Sequence, residues 1–302
     1  MVRRDAWMVV ALLAFAAGVI ALLEHARERR HTIYHGRSLA EWLVAIGDAR
    51  AGVRDTAAYA LTRLVPAFPA ALPAVMRAEA DLLGDADEEV QAEATAALIA
   101  VGPGSDSTVP IMIGVLARDP NASARVHAAQ VLGALGQLSR AAVPTIIGAL
   151  ADSNASVRLV AVNALGRIGL PADQLRDVAR ASTDGVAAVR AAAIEALIAL
   201  HAPAETLRAI GERAGHDPDA VVRVEAAYAL ASGGSPACVV PRLVVALDDV
   251  DPLVRAAAAT VLGRLGPEAS SATVALERAA TDSDREVRAV ATQSLRAVRR
   301  TP

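Results

Sequence analysis

The sequence predicts an all-α solenoid of about eight helix pairs, preceded by one apolar N-terminal helix. Three observations carry this. First, eight aspartates recur along the 302 residues: Asp48, Asp85, Asp119, Asp152, Asp184, Asp217, Asp249 and Asp282. After a first gap of 37, they stand 32 to 34 residues apart, and a fixed period of that size is the signature of stacked repeats. Second, six residues after each Asp comes an Arg, once a Gln: Arg54, Gln91, Arg125, Arg158, Arg190, Arg223, Arg255 and Arg288. Third, the position before that Arg is Val in seven copies and Ala124 in one, with an Ala three residues after the Arg and a Leu seven after. These three positions are spaced by four, so they share one apolar helix face.

The N-terminus divides into a tail over 1–5, an apolar stretch over 6–23 and a polar stretch over 24–37. Ala6 to Leu23 holds no charge, and eighteen residues meet the lower limit for a membrane-spanning helix. Trp7 suits an interfacial anchor. Ala14-Phe15-Ala16 resembles a signal-peptide cleavage site, but the apolar run continues past it, which favours an uncleaved single-pass anchor. Arg3 and Arg4 precede the span, while Arg27, Arg29, Arg30 and Arg37 follow it. Counting Arg alone places the remainder in the cytoplasm; Glu24 and Glu28 weaken the asymmetry, so the side stays undetermined. Glu28, His31 and His35 have a helical spacing that can hold a metal, but no further ligand accompanies them. The segment reads as a juxtamembrane linker, and no metal is expected.

From residue 38 to 302 the chain reads as helix A, a turn containing the Asp, then helix B. Pro110, Pro144 and Pro241 fall where the first turn of helix A is expected, a position that needs no N–H. Gly102, Gly136, Gly169, Gly234 and Gly266 stand eleven residues after the Arg position and read as helix-closing residues with positive φ. No stretch alternates with period two, so no strands are expected. The Asp is placed to accept backbone N–H bonds at the start of helix B. The Arg can reach the Asp of a neighbouring repeat, which makes Asp48, Arg54, Asp119, Arg125, Asp152, Arg158, Asp184, Arg190, Asp217, Arg223, Asp249, Arg255, Asp282 and Arg288 a structural ladder. A row of catalytic acids is the weaker reading, because catalytic residues are not repeated in every unit.

The pattern D-x(4)-V-R-x-x-A-x-x-x-L, seen in Asp152 to Gly166 and Asp249 to Gly263, resembles HEAT repeats, in particular the bacterial type named after phycobilisome-lyase HEAT-like repeats. The resemblance covers about 38 to 300. It implies a right-handed α-solenoid whose B helices line the concave face. Gln91, Ala124 and the longer first spacing around Pro66-Ala67-Phe68-Pro69 depart from the pattern. Tyr34 to Leu43 is similar to the lead-in of membrane-anchored bacterial HEAT proteins.

Composition agrees with close-packed helices: 54% apolar and 2% aromatic. Every basic residue is Arg, and the net charge is −3. Cys238 is the one cysteine, which excludes an internal disulfide; it reads as a small buried residue near the start of a helix A. On helix B the positions two, five and nine after the Arg point away from the core. They give Tyr59, Arg63, Glu93, His127, Gln130, Asn163, Arg167, Glu195, Glu225, Tyr228, Thr260, Arg264 and Gln293 as the candidate contact stripe for a partner. The stripe mixes both signs of charge, which argues against nucleic acid. No His-Glu dipeptide occurs, so the iron chemistry of a HEAT-like hydroxylase is rejected. The expectation is a membrane-anchored, non-catalytic scaffold for a protein or peptide of unknown identity, without cofactor. The alternative is a bilin-lyase-like enzyme or subunit that handles a chromophore.

Overall fold

The computed structural model describes residues 33–300. The predicted span over 6–23, and Glu28 and His31 with it, lie outside the described residues. The described chain falls into two compact units, divided after Val115.

The first unit begins with a two-stranded antiparallel hairpin, β1 (Ile33–Tyr34) and β2 (Arg37–Ser38). This corrects the reading without strands: with two residues per strand, no period-two pattern has room to show. Both turn residues have positive φ, His35 at 46° and Gly36 at 78°, the requirement of the tight hairpin turn whose twist matches its strands. The hairpin is tied to α1 (Leu39–Ala45), where buried Trp42 donates from Nε1 to the Tyr34 carbonyl at 3.0 Å. Ser38 and Glu41 cap α1 reciprocally. The unit continues with α2 (Ala51–Leu64), α3 (Leu72–Asp81), α4 (Glu88–Val101) and the start of α5 (Thr108–Arg118).

The second unit takes the end of α5, then α6 (Ala122–Leu135), α7 (Val143–Ala149), α8 (Ala155–Ile168), α9 (Leu175–Ala181) and α10 (Ala187–Ala199). It closes with α11 (Ala204–Ala214), α12 (Ala220–Gly233), α13 (Pro236–Ala246), α14 (Pro252–Leu265), α15 (Thr273–Ala279) and α16 (Arg285–Val298). Odd-numbered helices are the A members and even-numbered ones the B members, each B helix carrying one copy of the motif.

The Val, Ala and Leu columns form the core. Val157, Ala161 and Leu165 have no exposed surface, and Val189, Ala193 and Leu197 are equally enclosed. Val53 and Leu295, in the first and last of the described repeats, are half-buried. A second small-residue column, six after the Arg, is also buried: Ala60, Ala97, Val131, Ala164, Ala196, Ala229, Val261 and Ser294. In the second unit it receives the position eight after the Arg of the preceding B helix. A Cβ on Gly133 would stand 2.9 Å from the Ala164 Cα, and one on Gly263 would stand 2.4 Å from the Ser294 Oγ. Adjacent B helices therefore pack almost backbone to backbone.

Three sequence expectations need correction. Of the five glycines read as positive-φ closers, Gly136, Gly169 and Gly266 have positive φ, but Gly102 and Gly234 do not, at −51° and −134°. Gly234 is small for space instead: an added Cβ would stand 2.3 Å from Val239 Cγ2. Three repeats have no glycine at that position: His201 takes the left-handed conformation itself, at φ 53°, while Val65 and Arg299 stay helical. Pro241 lies inside α13, which begins one turn earlier at Pro236. Cys238, expected to be buried, is exposed, because helix α13 starts before it and turns it outward.

Candidate partner-binding face

The geometry starts in the A–B turn. Each motif Asp accepts a hydrogen bond at Oδ1 from the backbone N–H two residues on, as from Asn154 to Asp152 at 2.8 Å and from Val186 to Asp184 at 2.8 Å. This closes an Asx turn and leaves the helix cap itself to another residue. The N-cap of helix B is the residue two after the motif Asp. Asp87, Asn121, Asn154, Asp219, Asp251 and Asp284 each accept from N–H groups of the first helical turn. Sequence reasoning assigned that task to the motif Asp and missed the second Asx column, which stands in plain view in the repeat. In two repeats, Arg50 and Val186 hold the cap position and make no side-chain cap bond.

With its inner lone pairs committed to the turn, the motif Asp faces the preceding repeat. Arg125 donates from Nε and Nη2 to the two oxygens of Asp152, at 2.8 and 2.9 Å. Arg158 grips Asp184, Arg190 grips Asp217, Arg223 grips Asp249 and Arg255 grips Asp282 in the same forked way. In the first unit Arg54 holds Asp85, with both bonds at 2.6 Å. Each Arg also donates from Nη1 to the carbonyl of its own repeat's Asp, as from Arg158 to Asp152 at 2.8 Å. One guanidinium thus ties its own turn and the next turn together. Hydrogen bonds from the neighbouring Arg hold Asp152, Asp184 and Asp282 below the usual carboxylate range, against an opposing push from burial.

Four members of the columns are held differently. Asp48, in the first repeat, is held by Arg50 of its own turn rather than by a preceding repeat. Arg288, in the last, donates to the carbonyls of Asp282 and Ser283. Gln91 stands where the other repeats have Arg, and donates to the Asp85 carbonyl of its own turn. Asp119 accepts from the Asn121 N–H at 2.8 Å.

The stripe residues lie on the B helices at graded depth. Five and nine after the Arg, Tyr59, Arg63, Gln130, Asn163, Arg167, Glu195, Arg264 and Gln293 are exposed, and Tyr228 and Thr260 are half-buried. Two after the Arg, Glu93, His127 and Glu225 are half-buried, nearer the seam between neighbouring helices than the helical wheel alone suggests. Burial lowers the pKa of His127, opposed by its hydrogen bond with Gln130. Burial and then the charge of Glu195 raise that of Glu225.

Several of these residues are brought together. Thr260, Arg264 and Gln293 line an open groove of about 280 Å³ between α14 and α16. Asn163, Arg167 and Glu195 line one of about 300 Å³ between α8 and α10. Both grooves have a glycine of the B–B contact in their floor, Gly263 and Gly166. Arg264 reaches across one repeat to lie over the Tyr228 ring, 5.7 Å from its centre. In the first unit, Arg63 lies over Tyr59 and donates to its hydroxyl at 2.8 Å. Tyr34 of the hairpin packs edge-on against the same ring at 6.0 Å. Sequence reasoning missed Tyr34 as a neighbour of Tyr59, because the hairpin that places it has no counterpart in the repeat. A larger groove of about 520 Å³ opens between the A helices α11 and α13, where Glu212 faces Arg242 at 3.9 Å. Among the described residues no group of three His, Cys, Asp or Glu is placed to hold a metal ion.

The family model for HEAT repeats matches residues 109–198 and 207–296, more than half of the chain. The chain belongs to the HEAT-repeat family. No curated protein matches it. Among solved structures, the E. coli protein YibA (YIBA_ECOLI) is similar at 16% identity and a TM-score of 0.60, over 90% of this chain and 96% of that one. Kap95p, solved in a study of its binding to RanGDP, is similar at 15% identity and a TM-score of 0.63, over 86% of this chain and 41% of its own. Kap121p is similar at 15% identity and 0.61, over 86% of this chain and 33% of its own. The chain therefore spans well under half of either karyopherin, and identities this low make the likeness one of fold. The molecule is a HEAT-repeat helical scaffold.

Proposed function

We propose that this HEAT-repeat scaffold binds a protein or peptide partner on the exposed face of its B helices, performs no catalysis, and is held at a membrane by residues 6–23. One observation carries the reading. Almost every repeated polar residue is consumed by the Asx turns and the ladder, while most of the positions five and nine after the Arg are exposed, and they differ from repeat to repeat. A surface that varies on a constant frame is what recognition by a solenoid needs. Tyr59, Tyr228, Arg63, Arg167 and Arg264 are the residue types that anchor interfaces. The anchor rests on the uncharged run from Ala6 to Leu23, and the phycobilisome-lyase-like repeat type rests on the motif columns.

Site-specific photo-crosslinkers test the face. Placed at Gln130, Glu195 and Gln293 in the full-length protein, they should capture one common protein; placed at Val274 on an A helix, which is 74% exposed, they should not. Capture from Val274 and not from the three B-helix positions would sink the assignment. The anchor predicts that alkaline carbonate leaves the protein in the membrane pellet, and that deleting 1–23 releases it.

A further inference from the structure

The first unit encloses a carboxyl group that nothing answers. Glu79, on α3, has no exposed surface, and neither Oε1 nor Oε2 has a hydrogen-bond partner among the described residues. A carboxylate without partners in such a place is far more costly than the neutral acid. Among the described residues the surroundings offer no countercharge. Helix α3 packs on α4 and on the short 3-10 turns over 65–67, 69–71 and 82–84, and these turns carry no ionisable side chain. The ionisable residues of α4 are Glu88, Glu89 and Glu93, all acidic. On α3 itself the others are Asp81 and Arg77, and Arg77 is exposed. The negative series continues outward, since half-buried Glu93 is itself flanked by the charge of Asp55 on α2.

We propose that the α3–α4 helix pair is a proton-held latch: it is closed while Glu79 is protonated, and ionisation of Glu79 loosens α3 from α4. Burial, and then the charge of Glu93, push the Glu79 pKa up to about 8. The raised value sets the sign. An acid whose folded pKa lies above its unfolded value destabilises the closed state increasingly as pH rises from the unfolded value toward the folded one. The latch is therefore held at neutral pH and opens on the alkaline side. Glu93 also belongs to the B-helix stripe, so the opening acts on the face proposed for the partner, but the latch itself stands whether or not that face binds anything.

Carboxyl-carbon NMR of the full-length protein with labelled glutamate reads the group directly. Glu79 should titrate with a midpoint near 8; a midpoint below 6 overturns the proposal. Amide exchange reads the movement. Relative to α8, the amides of α3 should lose at least tenfold of their protection between pH 6.5 and 9, and Glu79→Gln should abolish that loss. An unchanged protection ratio, or the same loss in the Gln variant, overturns it.

Discussion

At residue 186 the repeat shows how much one side chain decides. Its backbone, at φ −100° and ψ 124°, is close to that of Asn154, at −87° and 123°, and both residues occupy the N-cap of a B helix. Asn154 accepts from two N–H groups of the first turn, whereas Val186 accepts from none and is 40% exposed. Placing an acceptor there satisfies orphan donors and removes an apolar group from water. Val186→Asp should raise stability by about 1 kcal/mol, read as a higher urea midpoint at unchanged slope. Asn154→Ala should lower it by a similar amount. The cap column was legible, since Asp or Asn stands two residues after the motif Asp in six of the repeats. It was overlooked because the motif Asp offers the same chemistry one step earlier. Only the folded structure separates the residue that closes the turn from the one that starts the helix.

Between elements, the determining contact is the seam of B helix on B helix. Helix propensity alone says that Gly→Ala inside a helix stabilises by about 1 kcal/mol. At Gly133 the new methyl would meet the Ala164 backbone at 2.9 Å, and backbone cannot swing aside. Overpacking of that kind costs about 1–3 kcal/mol, so it wins. Gly133→Ala should lower the thermal midpoint, while Gly148→Ala, whose added Cβ meets nothing within 4 Å, should not. The apolar face at −1, +3 and +7 was readable from spacing, because it recurs. The seam was not, because it pairs position eight of one repeat with position six of the next, and a single-helix wheel contains no second helix. Pro241 and Cys238 were misplaced for a related reason. Helix α13 starts at Ser235-Pro236, one turn before the register of its neighbours implies.

Across the molecule, the ladder sets the acid limit of the fold. Asp152, Asp184 and Asp282 are held below the ordinary carboxylate range by hydrogen bonds from Arg125, Arg158 and Arg255. A depressed folded value contributes stability above the unfolded pKa, about 3.9, and that contribution is lost as pH falls through the folded values. Stability should thus be level on this account down to about pH 4 and drop below it. Arg158→Gln imitates the natural Gln91. It removes the fork onto Asp184, which ties two repeats, and should cost about 2 kcal/mol at pH 7. The difference from wild type should shrink as pH falls below about 4, where the unfolded chain's carboxyl takes up a proton; a difference independent of pH would show that the Arg stem and not the charge pair is what matters. Glu79 acts in the opposite direction, since its raised value makes the first unit weaker toward the alkaline side.

The repeat length, the helical class, the core columns and the identity of the Asp and Arg columns are properties of the sequence by itself. They follow from spacing, and a spacing repeated eight times leaves little room for another reading. The tertiary structure decided what occurs once, and which atoms and helix positions meet where two repeats join. It decided that, in each Asp held by the Arg of the preceding repeat, Oδ1 serves both the turn and that Arg, while Oδ2 serves that Arg alone, as at Asp152. It also placed the hairpin that sets Tyr34 against Tyr59, and the enclosure of Glu79 without a partner. The physical reason is the same in each case. A period reports contacts that every copy makes within itself, whereas burial and pairing depend on what a neighbouring element brings within a few ångströms.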